Sequence, residues 1–225
     1  MPGIAERLQA VRLQLAKSCA ESGRAADSVL LLAVSKRQPS SAIVQAFRAG
    51  QHDFGENYAQ ELRDKSDQLA LPELRWHFIG PLQRNKLRYV VGRCALIHSI
   101  ERAEQVEAID QRASRMQCTQ DVLLQINISG EASKSGAAPD EAEGLLALCE
   151  KSAHLRCRGL MTMPPFDEDA EASTPYFSAL RSLRDSLGSE RLPELSMGMS
   201  HDYAAAIREG ATIVRIGTAI FGPRN

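Results

Sequence analysis

A lysine at the end of an unbroken apolar run is the first residue in this chain with an evident chemical use. The run Leu30–Val34 is typical of a strand buried on both faces, and Lys36 follows it shortly before Pro39. An amine is costly to bury unless it is paired or neutralised. In α/β proteins the carboxyl end of a strand faces the usual position of the active site. Lys36 therefore indicates either a solvated strand end or an amine that binds a carbonyl ligand.

Two later segments have the composition of an anion site. The segment GMSHDYAAAI offers Gly198, the Ser200 hydroxyl and backbone amides at a helix start. The segment RIGTAIFG offers Gly217 for close backbone approach and the Thr218 hydroxyl. After the last two strands of a barrel, such segments often hold phosphate. Helix capping by Ser200 or Asp202 and a tight turn at Gly217 would explain each segment alone, but together they favour phosphate.

A phosphate site near an amine suits a phosphorylated aldehyde or ketone bound to Lys36 as a Schiff base. The first and last strands of a closed barrel are neighbours, so Arg215 is expected close to Lys36. A fixed cation there would lower the pKa of the amine. An arginine also suits the ring nitrogen of a pyridine cofactor. A sugar-phosphate aldolase that uses Lys36 is an alternative.

The other polar candidates give weaker signals. His77 lies inside a strand pattern, where a core histidine and a functional histidine fit equally well. Glu56 ends the second strand pattern and is expected to be exposed or to cap a helix. Ser200, His201 and Asp202 are consecutive, which does not favour a catalytic triad. The five histidines have no paired spacing, so no metal site is predicted.

Composition narrows the functional classes. The chain has 225 residues with 27 basic and 28 acidic side chains, so its net charge favours neither nucleic acid nor an anionic membrane as a partner. Its five cysteines form no CxxC pair, which predicts a reduced, cytoplasmic protein without a disulfide framework or zinc site. No apolar stretch is long enough to span a bilayer, and the N-terminus lacks a signal-peptide core.

Apolar runs that alternate with helical patterns predict the elements that position these residues. The first helix is predicted over residues 4–20. Eight apolar runs follow, at Val29–Ser35, His52–Gly55, Trp76–Gly80, Ala95–Ile100, Val122–Ile128, Cys157–Thr162, Leu195–Met199 and Ile213–Ile216. Helical patterns lie near 40–49, 57–69, 83–91, 102–117, 139–153, 173–187 and 202–209.

This alternation predicts a (β/α)8 TIM-type barrel with an extra N-terminal helix, in a single domain over residues 1–225. A doubly wound open sheet is the alternative. The absence of a glycine-rich dinucleotide fingerprint after the first run, which reads AVSKRQPS, disfavours it.

Six segments together resemble the pyridoxal phosphate homeostasis protein family. They are AVSK, FGENYAQE, WHFIGPLQRNK, NISGEASKSG, GLMTMPP and LSMGMSHDYAAAIREGATIVRIGTAIFG. The resemblance extends from Leu32 to Gly222 in the expected order. It implies a single-domain relative of the alanine racemase barrel that holds pyridoxal 5'-phosphate as a Schiff base on Lys36.

The resemblance also implies the composition of the cofactor site. Eight residues match: Lys36, Asn57, His77, Met199, Ser200, Arg215, Gly217 and Thr218. Ser200, Gly217 and Thr218 would bind the phosphate, and Arg215 would face the ring nitrogen. The others would lie near the cofactor.

The first functional hypothesis is a carrier or buffer of pyridoxal 5'-phosphate, and the chain is expected to be a monomer. It would take part in vitamin B6 and amino-acid homeostasis, with pyridoxal phosphate-dependent apo-enzymes as recipients and no established turnover. An amino-acid racemase is the alternative, and it would need an acid/base group on each face of the ring. Lys36 could serve one face. Tyr58 and Tyr203 are the only tyrosines near the predicted mouth, and neither is placed opposite Lys36 by the pattern, which favours a carrier over an enzyme.

Overall fold

Eight parallel strands close into a barrel in the computed structural model of this chain, which describes residues 2–131 and 133–222. The strands follow one another around the barrel in sequence order, and the last pairs with the first. They are β1 (Leu30–Val34), β2 (Asp53–Glu56), β3 (Arg75–Phe78), β4 (Leu96–Ile100), β5 (Gln120–Gln125), β6 (Leu155–Met161), β7 (Glu194–Met199) and β8 (Ile213–Ile216). The predicted (β/α)8 barrel is confirmed.

Helices cover the outside of the barrel. They are α1 (Ile4–Glu21), α2 (Ser40–Arg48), α3 (Ala59–Gln68), α4 (Leu87–Val90), α5 (Ala103–Arg115), α6 (Ala142–Lys151), α7 (Thr174–Leu187), α8 (Tyr203–Arg208) and α9 (Thr218–Phe221). The extra helix α1 precedes the barrel as predicted and packs on α2, α8 and α9. The pattern predicted over 83–91 is divided into a 3-10 turn, Arg84–Lys86, and the short α4. Within the two described ranges, no helix has the length and apolarity needed to cross a membrane.

The strands are apolar because they are covered on both faces. Alternate side chains point outward into a large layer beneath the helices, where Phe54 and Phe78 are almost fully buried. The side chains between them point into the barrel. The apolar cluster inside consists of Leu32, Ile79, Leu96, Leu123, Met161 and Ile213. This interior is packed with side chains, as in other barrels of this size.

The register of β1 places its carboxyl end beside the ends of β2 and β8. Val34 lies opposite Gly55 of β2, and Ala33 lies opposite Ile216 of β8. Lys36 therefore lies beyond the paired part of β1, at the mouth of the barrel. Gly80, which follows β3, belongs to the same end, because a Cβ on it would overlap the backbone carbonyl of Asn57.

This close approach predicts a large effect of a single methyl group. Gly80→Ala should lower the free energy of unfolding by about 1–3 kcal/mol, because the backbone at Asn57 must shift to admit a Cβ. Gly144→Ala is the matched control, since Gly144 lies within α6 and nothing stands within 4 Å of its added Cβ. That change should raise the stability by about 0.5–1 kcal/mol. Urea unfolding measures both, and equal effects would contradict the close approach.

Candidate functional site at the barrel mouth

A cavity of about 370 Å³ opens at the carboxyl ends of the strands. It is lined by Val34, Lys36, Asn57, Ile79, Met163, Phe166, Met199, Ser200, His201, Arg215, Gly217 and Thr218. These residues come from β1, β7 and β8 and from the loops that follow β1, β2, β3, β6, β7 and β8. All the predicted site residues except His77 line this cavity. The barrel thus brings together predicted residues as distant in sequence as Lys36 and Thr218, which are 182 positions apart.

The structure places His77 away from this cavity. His77 points into the barrel as an inward residue of β3, but its neighbour in register is Leu96, the first residue of β4. It lines a different cavity, of about 490 Å³, at the amino ends of the strands. Ile79, two residues later on the same face, reaches the mouth instead. His77 therefore lies deeper in the barrel than the residues that line the mouth cavity, on the same side of the strand as Ile79.

Lys36 lies on a tight turn that follows β1. The backbone N–H of Gln38 donates to the carbonyl of Ser35 at 3.0 Å, so Lys36 and Arg37 are the central residues of the turn. Arg37 has a φ of 59°, in the left-handed region that residues other than glycine seldom occupy. Its backbone N–H donates to Glu61 Oε1 at 2.6 Å. The turn that presents Lys36 is therefore held from α3.

A buried ion cluster fixes the base of this turn. Lys65 Nζ donates at 2.7 Å to each of three oxygens: Ser35 O, Glu56 Oε1 and Glu61 Oε1. The Ser35 hydroxyl also donates to Glu56 Oε1, at 2.6 Å. Glu56 is fully buried, so the expectation that it is exposed or caps a helix is wrong. Burial raises the pKa of Glu56, and the adjacent Lys65 ammonium opposes this effect. No local sequence pattern marks this cluster, because its members lie just after β1, on β2 and on α3.

The two segments predicted to bind an anion meet across the cavity. Among the described residues, the Ser200 and Thr218 hydroxyls have no hydrogen-bond partner, so neither caps a helix. The Asp202 side chain makes no capping hydrogen bond to α8 either; its Oδ1 accepts the backbone N–H of Met199 at 2.7 Å, at the end of β7. A Cβ on Gly217 would lie 3.2 Å from the carbonyl oxygen of Val34, so this glycine permits a close approach of two strand ends.

Arg215 lies beneath these segments with 3% of its surface exposed. Its Nη1 donates to the carbonyl and hydroxyl oxygens of Ser196 at 2.7 and 2.8 Å, and its Nη2 donates to Thr162 O at 2.9 Å. Burial lowers the pKa of Arg215 to about 10, with Asp202 opposing, so the guanidinium stays charged at neutral pH. Arg215 pairs with Leu32 in the sheet, and the two cations, Arg215 and Lys36, therefore line the cavity from different depths.

Polar contacts continue from Arg215 through the centre of the barrel. Ser196 Oγ lies 2.9 Å from His98 Nδ1, and His98 Nε2 lies 3.0 Å from His77 Nδ1. His77 Nε2 lies 3.2 Å from Asp53 Oδ1. The three residues that connect Asp53 to Arg215, which are His77, His98 and Ser196, are each 4% exposed or less. Burial lowers the pKa of His98 well below its usual value, and the nearby charge of Arg215 acts in the same direction, so this ring is neutral at pH 7.

Sequence reasoning did not assign five residues that line the cavity: Val34, Ile79, Met163, Phe166 and His201. The two-residue period of a strand would have identified Val34 from Lys36 and Ile79 from His77. Phe166 lies in the loop after β6 and is 77% exposed, with its ring 5.7 Å from that of His201. No periodic signal in the sequence marks a loop aromatic of this kind.

Neither tyrosine near the mouth lines the cavity. Tyr58 is 46% exposed, and its hydroxyl accepts from Arg37 Nη2 at 3.1 Å. Tyr203 begins α8 and packs against the outer core, where burial raises the pKa of its hydroxyl. The described residues thus offer no tyrosine hydroxyl across the cavity from Lys36.

Comparisons with known proteins give a consistent result. Residues 13–225 match the family model described as "Alanine racemase, N-terminal domain". The chain is 43% identical over 222 residues to the pyridoxal phosphate homeostasis protein of Aquifex aeolicus, with 97% of each chain covered. It is similar to PipY of Synechococcus elongatus without PLP (pyridoxal phosphate), at 37% identity and a TM-score of 0.87. PipY with PLP bound gives 36% identity and a TM-score of 0.85, and both comparisons cover 97% of this chain and 100% of PipY.

The buried cluster beneath the lysine turn supplies a test of this geometry. Lys65→Met should lower the free energy of unfolding by about 3–5 kcal/mol, because it leaves the Glu56 carboxylate buried without its ammonium partner. Lys17→Met is the control, since Lys17 and its partner Glu21 are 67% and 64% exposed, and its effect should be below about 1 kcal/mol. Adding Glu56→Gln to Lys65→Met should recover part of the loss. Equal urea midpoints for the two single variants would refute the cluster.

Proposed function

Since this chain belongs to the pyridoxal phosphate homeostasis protein family, we propose that it binds PLP in the mouth cavity through a Schiff base with Lys36. It acts as a carrier or buffer of this cofactor. The main observation in support is that one cavity is lined by the Lys36 amine, the two unpartnered hydroxyls of Ser200 and Thr218, and the buried guanidinium of Arg215.

The residues present fit the chemistry of this cofactor. An amine suits its aldehyde, two hydroxyl donors and the open backbone at Gly217 suit its phosphate, and a guanidinium donor suits its ring nitrogen. Asn57 adds a further group, because its Oδ1 is buried and has no hydrogen-bond partner among the described residues. A buried polar atom without a partner is costly, which favours a ligand that supplies one.

Bound PLP supplies an aldehyde that condenses with an amine, with loss of one water, and a ring that withdraws electrons from that link. The Lys36 ammonium must lose one proton before its nitrogen can attack an aldehyde, while the turn held by Lys65 and Glu61 keeps this side chain at the mouth. Arg215 donates hydrogen bonds from a guanidinium that keeps its proton at neutral pH. A donor at the ring nitrogen leaves this nitrogen unprotonated and weakens the electron withdrawal that turnover requires.

The site favours storage over catalysis. Racemisation requires an acid/base group on each face of the ring, and no tyrosine among the described residues lines the cavity opposite Lys36. The close relatives are named as homeostasis proteins rather than enzymes. We propose that residues 1–225 form one monomeric binding domain that supplies PLP-dependent apo-enzymes and so supports vitamin B6 and amino-acid balance. The five free thiols suit a reducing cytoplasm.

The first experiment locates the attachment point. Protein incubated with PLP, reduced with borohydride and mapped by mass spectrometry should carry the cofactor on Lys36. Lys36→Ala should lose the modification and the visible absorbance but retain its fold, since the apolar residues of β1 are unchanged. Lys86→Ala is the control and should be modified at Lys36 as the wild type is.

Two outcomes would contradict this proposal. Reduced cofactor on Lys86 or Lys134 in place of Lys36 would disprove the attachment point, and absorbance retained by Lys36→Ala would do the same. Loss of α-deuterium from alanine at an ordinary enzymatic rate, abolished by Lys36→Ala and by Tyr58→Phe, would show an enzyme instead of a carrier.

The second experiment tests the phosphate site. Ser200→Ala and Thr218→Val each remove one hydrogen bond to a charged group, a loss of about 1.5–3 kcal/mol. We expect the dissociation constant for PLP to rise by about one to two decades in each variant, with the Schiff base still formed at high PLP concentration. Ser186→Ala, an exposed hydroxyl on α7, is the control and should bind as the wild type does. Unchanged affinity in both cavity variants would move the phosphate elsewhere.

A further inference from the structure

A continuous chain of polar contacts crosses the barrel from the mouth towards its amino end. It runs from Arg215 through Ser196, His98 and His77 to Asp53, with successive donor–acceptor distances of 2.8, 2.9, 3.0 and 3.2 Å. None of these contacts belongs to the backbone ladder of the sheet. The proposed cofactor site uses only Arg215, so the four residues behind it have no role assigned by that function.

Arg215 and Asp53, at the two ends of this series of hydrogen bonds, have fixed hydrogen-bonding roles. A guanidinium can only donate, so Arg215 must donate to Ser196 Oγ. An ionised carboxylate can only accept, so Asp53 must accept from His77 Nε2. Burial opposes the ionisation of Asp53, but hydrogen bonds from His77 and Arg75 outweigh it and lower the pKa of Asp53 to about 2. Arg75 holds both carboxylate oxygens, at 2.7 and 2.6 Å.

These ends determine the direction of the bonds between them. A His77 ring whose one hydrogen is on Nε2 accepts at Nδ1, and the donor is then His98 Nε2. His98 Nδ1 is then an acceptor for the Ser196 hydroxyl. The opposite direction would give Ser196 Oγ two donors and leave its own hydrogen without an acceptor among the described residues. In each of the four hydrogen bonds, the donor is therefore the residue nearer to Arg215 and the acceptor is the residue nearer to Asp53.

We infer that Asp53, His77, His98 and Ser196 are positioning residues that form a single directed hydrogen-bond chain and fix the Arg215 guanidinium at the floor of the mouth cavity. Two of its acceptors come from Ser196 and one from Thr162. The Arg215 Nε–H and the second hydrogen on Nη2 have no hydrogen-bond partner among the described residues, so they are available to a ligand. The hydrogen-bond chain is a property of the protein without any ligand. Its influence on bound PLP through Arg215 rests on the proposed function.

The histidine tautomers test the chain without any ligand. Long-range ¹H–¹⁵N correlation spectra of ¹⁵N-labelled protein at pH 7, assigned with His77→Gln and His98→Gln, should show both rings protonated at Nε2 only. Asp53→Asn offers an amide N–H to His77 Nε2 and should reverse its tautomer, as in the aspartate-to-asparagine change of a serine protease triad. His98 makes no contact with residue 53, yet its Nε2–H signal should be replaced by an Nδ1–H signal.

Asp121→Asn is the matched control for this experiment. Asp121 is also an inward aspartate near the amino end of a strand, and it is also held by two bonds from an arginine, Arg156. Among the described residues it has no hydrogen bond to either histidine, so both tautomers should be unchanged. A reversal confined to His77 in Asp53→Asn would show that the contacts are independent. An Nδ1–H or doubly protonated ring in the wild type would also overturn the inference.

Ser196→Ala gives a second test at the other end. Asp53 still dictates direction in this variant, so both histidines should keep the Nε2–H form. Arg215 loses one acceptor, and exchange of its Nε–H with water should become faster in the ligand-free protein. In the loaded protein, the absorbance maximum of the Schiff base should shift, which a purely structural role would not produce. A protein that shows the tautomers but binds no PLP would refute the proposed function and leave the chain intact. Unchanged Arg215 exchange in Ser196→Ala would refute the positioning role.

Discussion

The pairing of β1 with β8 is the interaction on which the rest of the structure depends. It joins the two ends of the sheet, with Leu30 N–H donating to Thr212 O at 2.8 Å and Ala33 opposite Ile216. A parallel pair so distant in sequence gains nothing from local turns, so its formation carries a large loop-closure cost in entropy. Closure places Lys36 next to the Gly217 segment, and an open sheet would separate these residues across its whole width.

A second constraint follows from burying Arg215 inside that closed barrel. A charged group without water must have most of its donors satisfied by protein oxygens, because the cost of desolvation is otherwise several kcal/mol. Three acceptors on Ser196 and Thr162 provide this. The inward positions of β3, β4 and β7 are accordingly polar at His77, His98 and Ser196 instead of apolar. These three polar positions are thus connected to one cation near the mouth.

Much of the fold was predictable because its signals are local. Each of the eight apolar runs overlaps a strand, although β5 and β6 begin two residues earlier than predicted, since their first residues include polar ones such as Asp121 and Arg156. The site was predictable where its residues lie at strand ends, as Lys36 and Thr218 do. The burial of Glu56 was not predicted, because its partner Lys65 lies on α3 and the pattern of one segment does not indicate an ion-pair partner in another.

The sequence by itself determined the alternation of strands and helices and the residue types at the strand ends, since both depend on periodicity and composition along the chain. The tertiary structure alone decided how deep each side chain lies in the barrel and which side chains are hydrogen-bonded to each other. His77 and Ile79 share one face of β3, yet only closure and register send the first to the amino end of the barrel and the second to the mouth. Contacts such as His98 with Ser196 join residues 98 positions apart, and their geometry comes from the stagger between strands, which no local pattern encodes.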